Sequence, residues 1–213
     1  MNPTSRPLLA LLAASLAACG AASAGTPPVE ASPTPAAAPA PAPAADTARR
    51  RHTEADARFM THMIHHHSQA RVMAALVPER TTRPEIRLIA ERIDVSQEDE
   101  MRQMRSWLRN RGEAVPDTGA MMHGGGHMTM PGMLTEAELA RLAASRGPEF
   151  DRLFLEFMIR HHEGAVAMVA ELLATPGAAQ ESDTYRFAAD VNADQRAEIA
   201  RMRTLLNTVV PRG

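Results

Sequence analysis

The chain has 213 residues, 45% of them hydrophobic, 23% charged and only 3% aromatic, with a formal net charge of −2; all 23 basic residues are Arg. That length suits one domain with tails or two small ones, and the charge balance argues against a basic nucleic-acid binder. The absence of Lys excludes Schiff-base and P-loop chemistry, scarce aromatics disfavour an all-β core, and a single Cys excludes an intrachain disulfide or a Cys-based zinc site.

Arg6 precedes an apolar run from Leu8 to Ala18. The run is too short to span a bilayer but has the length of a signal-peptide core. It ends Leu16-Ala17-Ala18-Cys19-Gly20, which resembles a bacterial lipobox, so residues 1–18 read as a lipoprotein signal and Cys19 as the lipidated residue. The alternative is cleavage after Ala22-Ser23-Ala24 and a free secreted protein. Both place the chain outside the cytoplasm. Residues 19–46 are rich in Ala and Pro, with seven Pro after Gly25. Such a stretch favours extended polyproline II and reads as a spacer. Folded structure is expected over 47–210.

Four long helices are predicted there. Phe59, Met63, His66, Ala70 and Met73 step by 4, 3, 4 and 3 residues, one buried helical stripe that Pro78 should end. Ile86, Ile89, Ile93, Gln97, Met101 (or Glu100), Met104 and Leu108 make a second, opened by a capping box at Thr82-Arg83-Pro84-Glu85. Thr135-Glu136-Ala137-Glu138 caps a short extra helix. Gly147-Pro148 opens the third long helix, with the stripe Phe154, Met158, His161, Ala165 and Met168, and Thr175-Pro176-Gly177 closes it. Val191, Gln195, Ile199, Met202 and Leu206 mark the fourth.

The helices repeat in pairs. Met63-Ile64-His65-His66-His67 recurs as Met158-Ile159-Arg160-His161-His162 at an offset of 95. Ile93, Gln97, Glu100, Met101 and Met104 recur as Val191, Gln195, Glu198, Ile199 and Met202 at an offset of 98. Two copies of one helical hairpin, about 47–111 and 148–208, joined by a long central crossover, define an all-α, ferritin-like four-helix bundle.

Chemistry-bearing residues fall into three groups: Met60, His62, Met63, His65, His66, His67 and Met73; Met158, His161, His162 and Met168; and the crossover tract with Met121, Met122, His123, His127, Met128, Met130 and Met133. Neighbouring His residues diverge by about 100° around a helix, so His66 and His67 do not readily chelate one ion together. Pairs three or four apart do, such as His62 with His66, Met63 with His67 and Met158 with His161. Repeat symmetry should turn the His161/His162 face towards the His66/His67 face. Gln97, Glu100, Gln195 and Glu198 should stand behind the imidazoles and orient them.

Met in a helix core is ordinarily gap-filling. Buried His and Gln are different: each one left unpaired costs about 1–3 kcal/mol, so the layer must be satisfied by itself or by a ligand. The crossover tract packs five Met and two His into thirteen Gly-rich residues. Met has no packing reason to cluster on a loop, so the tract reads as a metal binder, with a biased disordered segment as the alternative. Thioether and imidazole suit Cu(I), and imidazole also suits Cu(II) and Zn.

The paired Met-Ile-X-His-His-X-X-Ala blocks, the Gln-X-X-Glu blocks and the Met130-Pro131-Gly132-Met133 entry to the second half resemble a bacterial family of unknown function. It is family 305, ferritin-like and CopM-type, and the resemblance covers roughly residues 55 to 207. It implies a four-helix bundle in the cell envelope and, for some members, copper binding and copper tolerance; it implies no reaction. His65 and His62 correspond to Arg160 and Phe157, so the halves are not equivalent.

The expected function is an envelope-anchored copper-binding protein that sequesters or hands over the metal, with zinc or iron as alternatives and a metal donor or acceptor protein as partner. A metal-free structural or partner-binding bundle is the main alternative. A di-iron oxidase is disfavoured, because no Glu-X-X-His motif occurs in the chain.

Overall fold

The computed structural model describes residues 52–117 and 130–209, all within the unit Pro43–Gly213. Among these residues it is all-helical: α1 (Glu54–Ala75), α2 (Val77–Arg80), α3 (Pro84–Asn110), α4 (Glu136–Ala144), α5 (Gly147–Ala174) and α6 (Ser182–Val209). Helices α1, α3, α5 and α6 form the expected four-helix bundle, and α4 is the short helix on the crossover. No helix among the described residues is long and apolar enough to cross a membrane. Cys19 and the spacer lie outside the described residues, as do Met121, Met122, His123, His127 and Met128.

Local chemistry accounts for the helix starts. Thr53 caps α1 in a reciprocal box with Asp56, and Thr135 caps α4 in the same way with Glu138. Asp56 does more than cap, because its second carboxylate oxygen accepts the Ala179 N–H at 2.7 Å and ties the start of α1 to the α5–α6 turn. Pro148 lies in the first turn of α5 and Pro84 in that of α3. Two expectations are corrected. Pro78 opens the one-turn helix α2 instead of simply ending α1. The capping box at Thr82 is not formed: Arg83 is the N-cap, and its N–H donates to the hydroxyl of Thr81, not Thr82, because α2 ends at Arg80 and the turn brings Thr81 round.

α1 packs on α3 and α5, and α6 packs on α5 and α3. The core consists of two apolar clusters. Along α1 the chain passes from one cluster (Phe59 to Ile64) through His65–His67 into the other (Ala70 to Ala74). α3 runs the opposite way, from Ile86–Ile93 through Gln97 and Glu100 into Met101–Leu108. α5 runs with α3, and α6 runs with α1. The crossover from α3 to α5 joins two parallel helices, so it must travel back along the bundle, which explains its length.

That crossover is pinned where it meets α5. Gly132 and Gly164 let the two backbones touch: a Cβ on Gly164 would collide with the Pro131 carbonyl, and one on Gly132 with the Arg160 carbonyl. Gln69 adds two hydrogen bonds, its amide donating to the Leu134 carbonyl at 3.0 Å and accepting the Leu134 N–H at 2.8 Å.

Candidate metal centre

Each of the four long helices crosses the middle of the bundle at a polar pair: His66 and His67, Gln97 and Glu100, His161 and His162, Gln195 and Glu198. The register places all eight in one layer between the two apolar clusters. His66, His67, His161 and His162 are completely buried. The rings of His66 and His161 lie 3.8 Å apart, centroid to centroid, tilted by 36°. Within each adjacent pair the rings diverge as helix geometry requires, at 6.3 Å for His66–His67 and 6.2 Å for His161–His162.

The glutamates stand where the sequence places them. His67 Nε2 pairs with Glu100 Oε2, and His162 Nε2 pairs with Glu198 Oε2 at 2.6 Å. His66 Nε2 donates to the Pro131 carbonyl oxygen at 3.1 Å. The glutamines differ from expectation. Neither amide atom of Gln97 has a partner, and Gln195 Oε1 has none. Gln97 is thus buried without orienting an imidazole.

The Pro131 carbonyl dictates the His66 tautomer. A carbonyl oxygen only accepts, so the neutral His66 ring that Pro131 holds carries its proton on Nε2 and its lone pair on Nδ1. Nδ1 of His66, His67 and His162 is buried without a partner, and so are both ring nitrogens of His161. Burial holds the His66 ring down to about 3, with repulsion from His67 adding and the Pro131 carbonyl opposing. Burial likewise pushes His161 well below its ordinary value, helped by His66, His162 and His67. Both rings are therefore neutral at pH 7, with lone pairs free to be donated.

The donor set fits a soft or borderline cation: imidazole lone pairs in a dry layer, backed by carboxylates that fix ring orientation and raise basicity. Such lone pairs call for an electron-pair acceptor. Among the described residues no three His, Cys, Asp or Glu groups are gathered into a ready-made ion site.

The other residues singled out in the sequence scatter around this layer. Met63 adjoins it in one apolar cluster, with Met168, Met130 and the partly buried Met133; Met158 and Met73 belong to the other cluster. His62 is half-buried and faces a separate cavity that Met130 and Met168 also line. The Pro131 carbonyl was not foreseen, since a main-chain oxygen leaves no mark on residue type. Glu100 also borders a cavity of about 250 Å³ with Asp190 and Asp194. Burial, with repulsion from Glu100 and Glu198, pushes the Asp194 carboxyl up. The crossing of α4 on α5 rests on Arg160, which occupies the His65-equivalent position and donates to Glu138 at 2.7 Å.

Fold and site together define a helical bundle with a buried histidine layer. The chain belongs to the family described as "Domain of unknown function (DUF305)", which matches residues 56–206. It is similar to the crystal structure of a DUF305 fragment from Deinococcus radiodurans, with 34% identity, a TM-score of 0.64, and coverage of 74% of this chain and 98% of that one. A DUF305 protein from Streptomyces coelicolor, designated secreted, is 30% identical with a TM-score of 0.63, covering 73% of this chain and 93% of that one. CopM in its Cu(II)-bound form is also 30% identical, with a TM-score of 0.59 over 73% of this chain and 97% of that one. CopM has been solved in Cu(I)-bound and Ag-bound forms as well. Among curated proteins none matches the chain.

Proposed function

We propose that this chain binds copper in the cell envelope, holding it for sequestration or for transfer to another protein, as copper tolerance requires. The observation that carries the reading is the set of buried ring nitrogens without a hydrogen-bond partner, Nδ1 of His66, His67 and His162 and both nitrogens of His161. At about 1–3 kcal/mol for each buried polar group left unmet, such a layer rivals a domain's net stability of about 5–15 kcal/mol. A bound cation removes that penalty. Likeness to a protein crystallised with Cu(I), Cu(II) and Ag supports copper over zinc or iron. The Met/His tract from Met121 to Met133 supplies thioethers of the same preference.

The location follows from the N-terminus. Cys19 in its lipobox-like setting anchors the chain to a membrane, facing the periplasm or the cell exterior, and the Pro-rich stretch spaces the bundle from the surface. Cleavage after Ala24 would instead release it, as for the Streptomyces relative designated secreted.

The test is an anaerobic Cu(I) titration of the full chain carrying Cys19→Ser, against a chromogenic chelator, with native mass spectrometry counting ions and Zn(II) as control. Tight, saturable binding that weakens when His66 and His161 are replaced supports the reading. Micromolar or weaker affinity, indifferent to His and Met substitutions, overturns it. In that case an unchanged melting temperature with every metal, together with a stable partner, would identify a metal-free module.

A further inference from the structure

Outside the histidine layer, one cavity gathers ligating side chains from three separate elements. It has a volume of about 450 Å³, and its walls include His62 from α1, Met130 from the crossover, and Met168 and Glu171 from α5. Met168 and Glu171 are three residues apart and share a face of α5. His62 lies one turn before His66 on α1. Arg58 and Glu171 are both near enough to His62 to act on its charge, with opposite signs and Arg58 the stronger. Both thioethers are almost fully buried, at 8% exposed for Met130 and 6% for Met168.

Met130 is positioned, not incidental. The next residue, Pro131, is clamped by its carbonyl to His66, Gly132 is pressed onto Gly164, and Leu134 is held twice by Gln69. Arg58 also lines the cavity; it pairs with Glu54 at 2.6 Å on the exposed side, and its charge still acts on His62.

We infer that this cavity is a capture site for a soft monovalent cation of the Cu(I)/Ag(I) class, held by the His62 imidazole and the Met130 and Met168 thioethers and distinct from the histidine layer. The inference rests on the copper-binding reading above and deepens it. No third His, Cys, Asp or Glu joins His62 and Glu171 among the described residues, so an ion here must accept sulfur. Thioethers are soft ligands, which selects Cu(I) and Ag(I) and rejects Mg(II), Ca(II) and, largely, Zn(II). The Glu171 carboxylate offsets the positive charge.

The full chain carrying Cys19→Ser, labelled with ¹³C at the Met methyl groups, is titrated with silver nitrate and followed by NMR. Met130→Leu and Met168→Leu assign the two signals and, being close in volume, keep the packing. The Met130 and Met168 methyls should shift together and saturate, with excess Zn(II) leaving them still. His62→Leu or the double Met→Leu variant should lose one bound Ag(I) or weaken it at least tenfold. If Ag(I) binds while these two methyls stay unmoved to saturation, or if the double variant keeps both full stoichiometry and full affinity, the cavity is no site and the copper-binding reading survives. If the parent chain binds neither Ag(I) nor Cu(I), both fall.

Discussion

His66 and His161 stand at equivalent places in two hairpins, 95 residues apart, and their rings meet at 3.8 Å in the middle of the bundle. Each is neutral, since burial drives down the affinity of both rings for a proton. The contact is thus between two uncharged rings that each offer a lone pair.

Gln97 is buried with neither amide atom paired. Gln97→Met keeps the length and removes the unmet polar groups. The metal-free variant should be more stable than the parent by about 1–3 kcal/mol, read from urea midpoints at constant slope. A loss of stability would mean that the Gln97 amide is paired.

Glu100 and Glu198 fix the orientation of His67 and His162. Glu100→Gln should preserve helicity and melting behaviour, yet weaken Cu(I) by about 10–100-fold, the usual cost of losing an orienting carboxylate. Chelator competition decides it, and an unchanged affinity would remove these glutamates from the metal's surroundings.

Gly164 has no room for a Cβ under the Pro131 carbonyl. Gly164→Ala should lift the crossover at Pro131 and destabilise the fold by about 1–3 kcal/mol, the scale of overpacking. Amide exchange at Leu134, whose N–H is held by Gln69, should quicken in step. An unaltered exchange rate would show that the crossover does not depend on this contact.

The Glu138 carboxyl is held down from 4.5 to about 2, chiefly by the hydrogen bond from Arg160, with burial opposing and Thr135 assisting. A carboxyl whose folded affinity for protons is depressed stabilises the fold above its unfolded value and loses that contribution as pH falls through the folded one. Glu138→Gln should therefore cost stability at neutral pH, by less than about 1 kcal/mol for so exposed a pair. The gap from the parent should close between pH 4.5 and 2. Urea midpoints across that range test it, and a gap that persists at the acid end would rule the ion pair out as its source.

Much of this was legible in the residues. The steps of 3 and 4 from Phe59 to Met73 and from Phe154 to Met168 locate α1 and α5, because burial on one helical face imposes that period. Thr135 with Glu138 announces α4, because a capping box is built from neighbours in sequence. The Thr82 box failed for the same reason in reverse: Thr81 and Thr82 are alike as residues, and the one-turn helix before them chose which hydroxyl met the Arg83 N–H. Gln97 had the right spacing to orient an imidazole but reaches none, since spacing fixes a face and not a rotamer.

By itself, the sequence determined the doubled hairpin, the four amphipathic faces and the polar residue types on each, because helical period and capping act over a few residues. It also singled out His and Met as the chemistry. Only the tertiary structure decided that the four polar pairs fall in a single layer. It alone set the Pro131 carbonyl on His66 and brought Met130 and Met168 to the cavity of His62, apart from Met73. Those placements depend on antiparallel register between helices and on one glycine crossing, and contacts between residues distant in the chain leave no periodic signal along it.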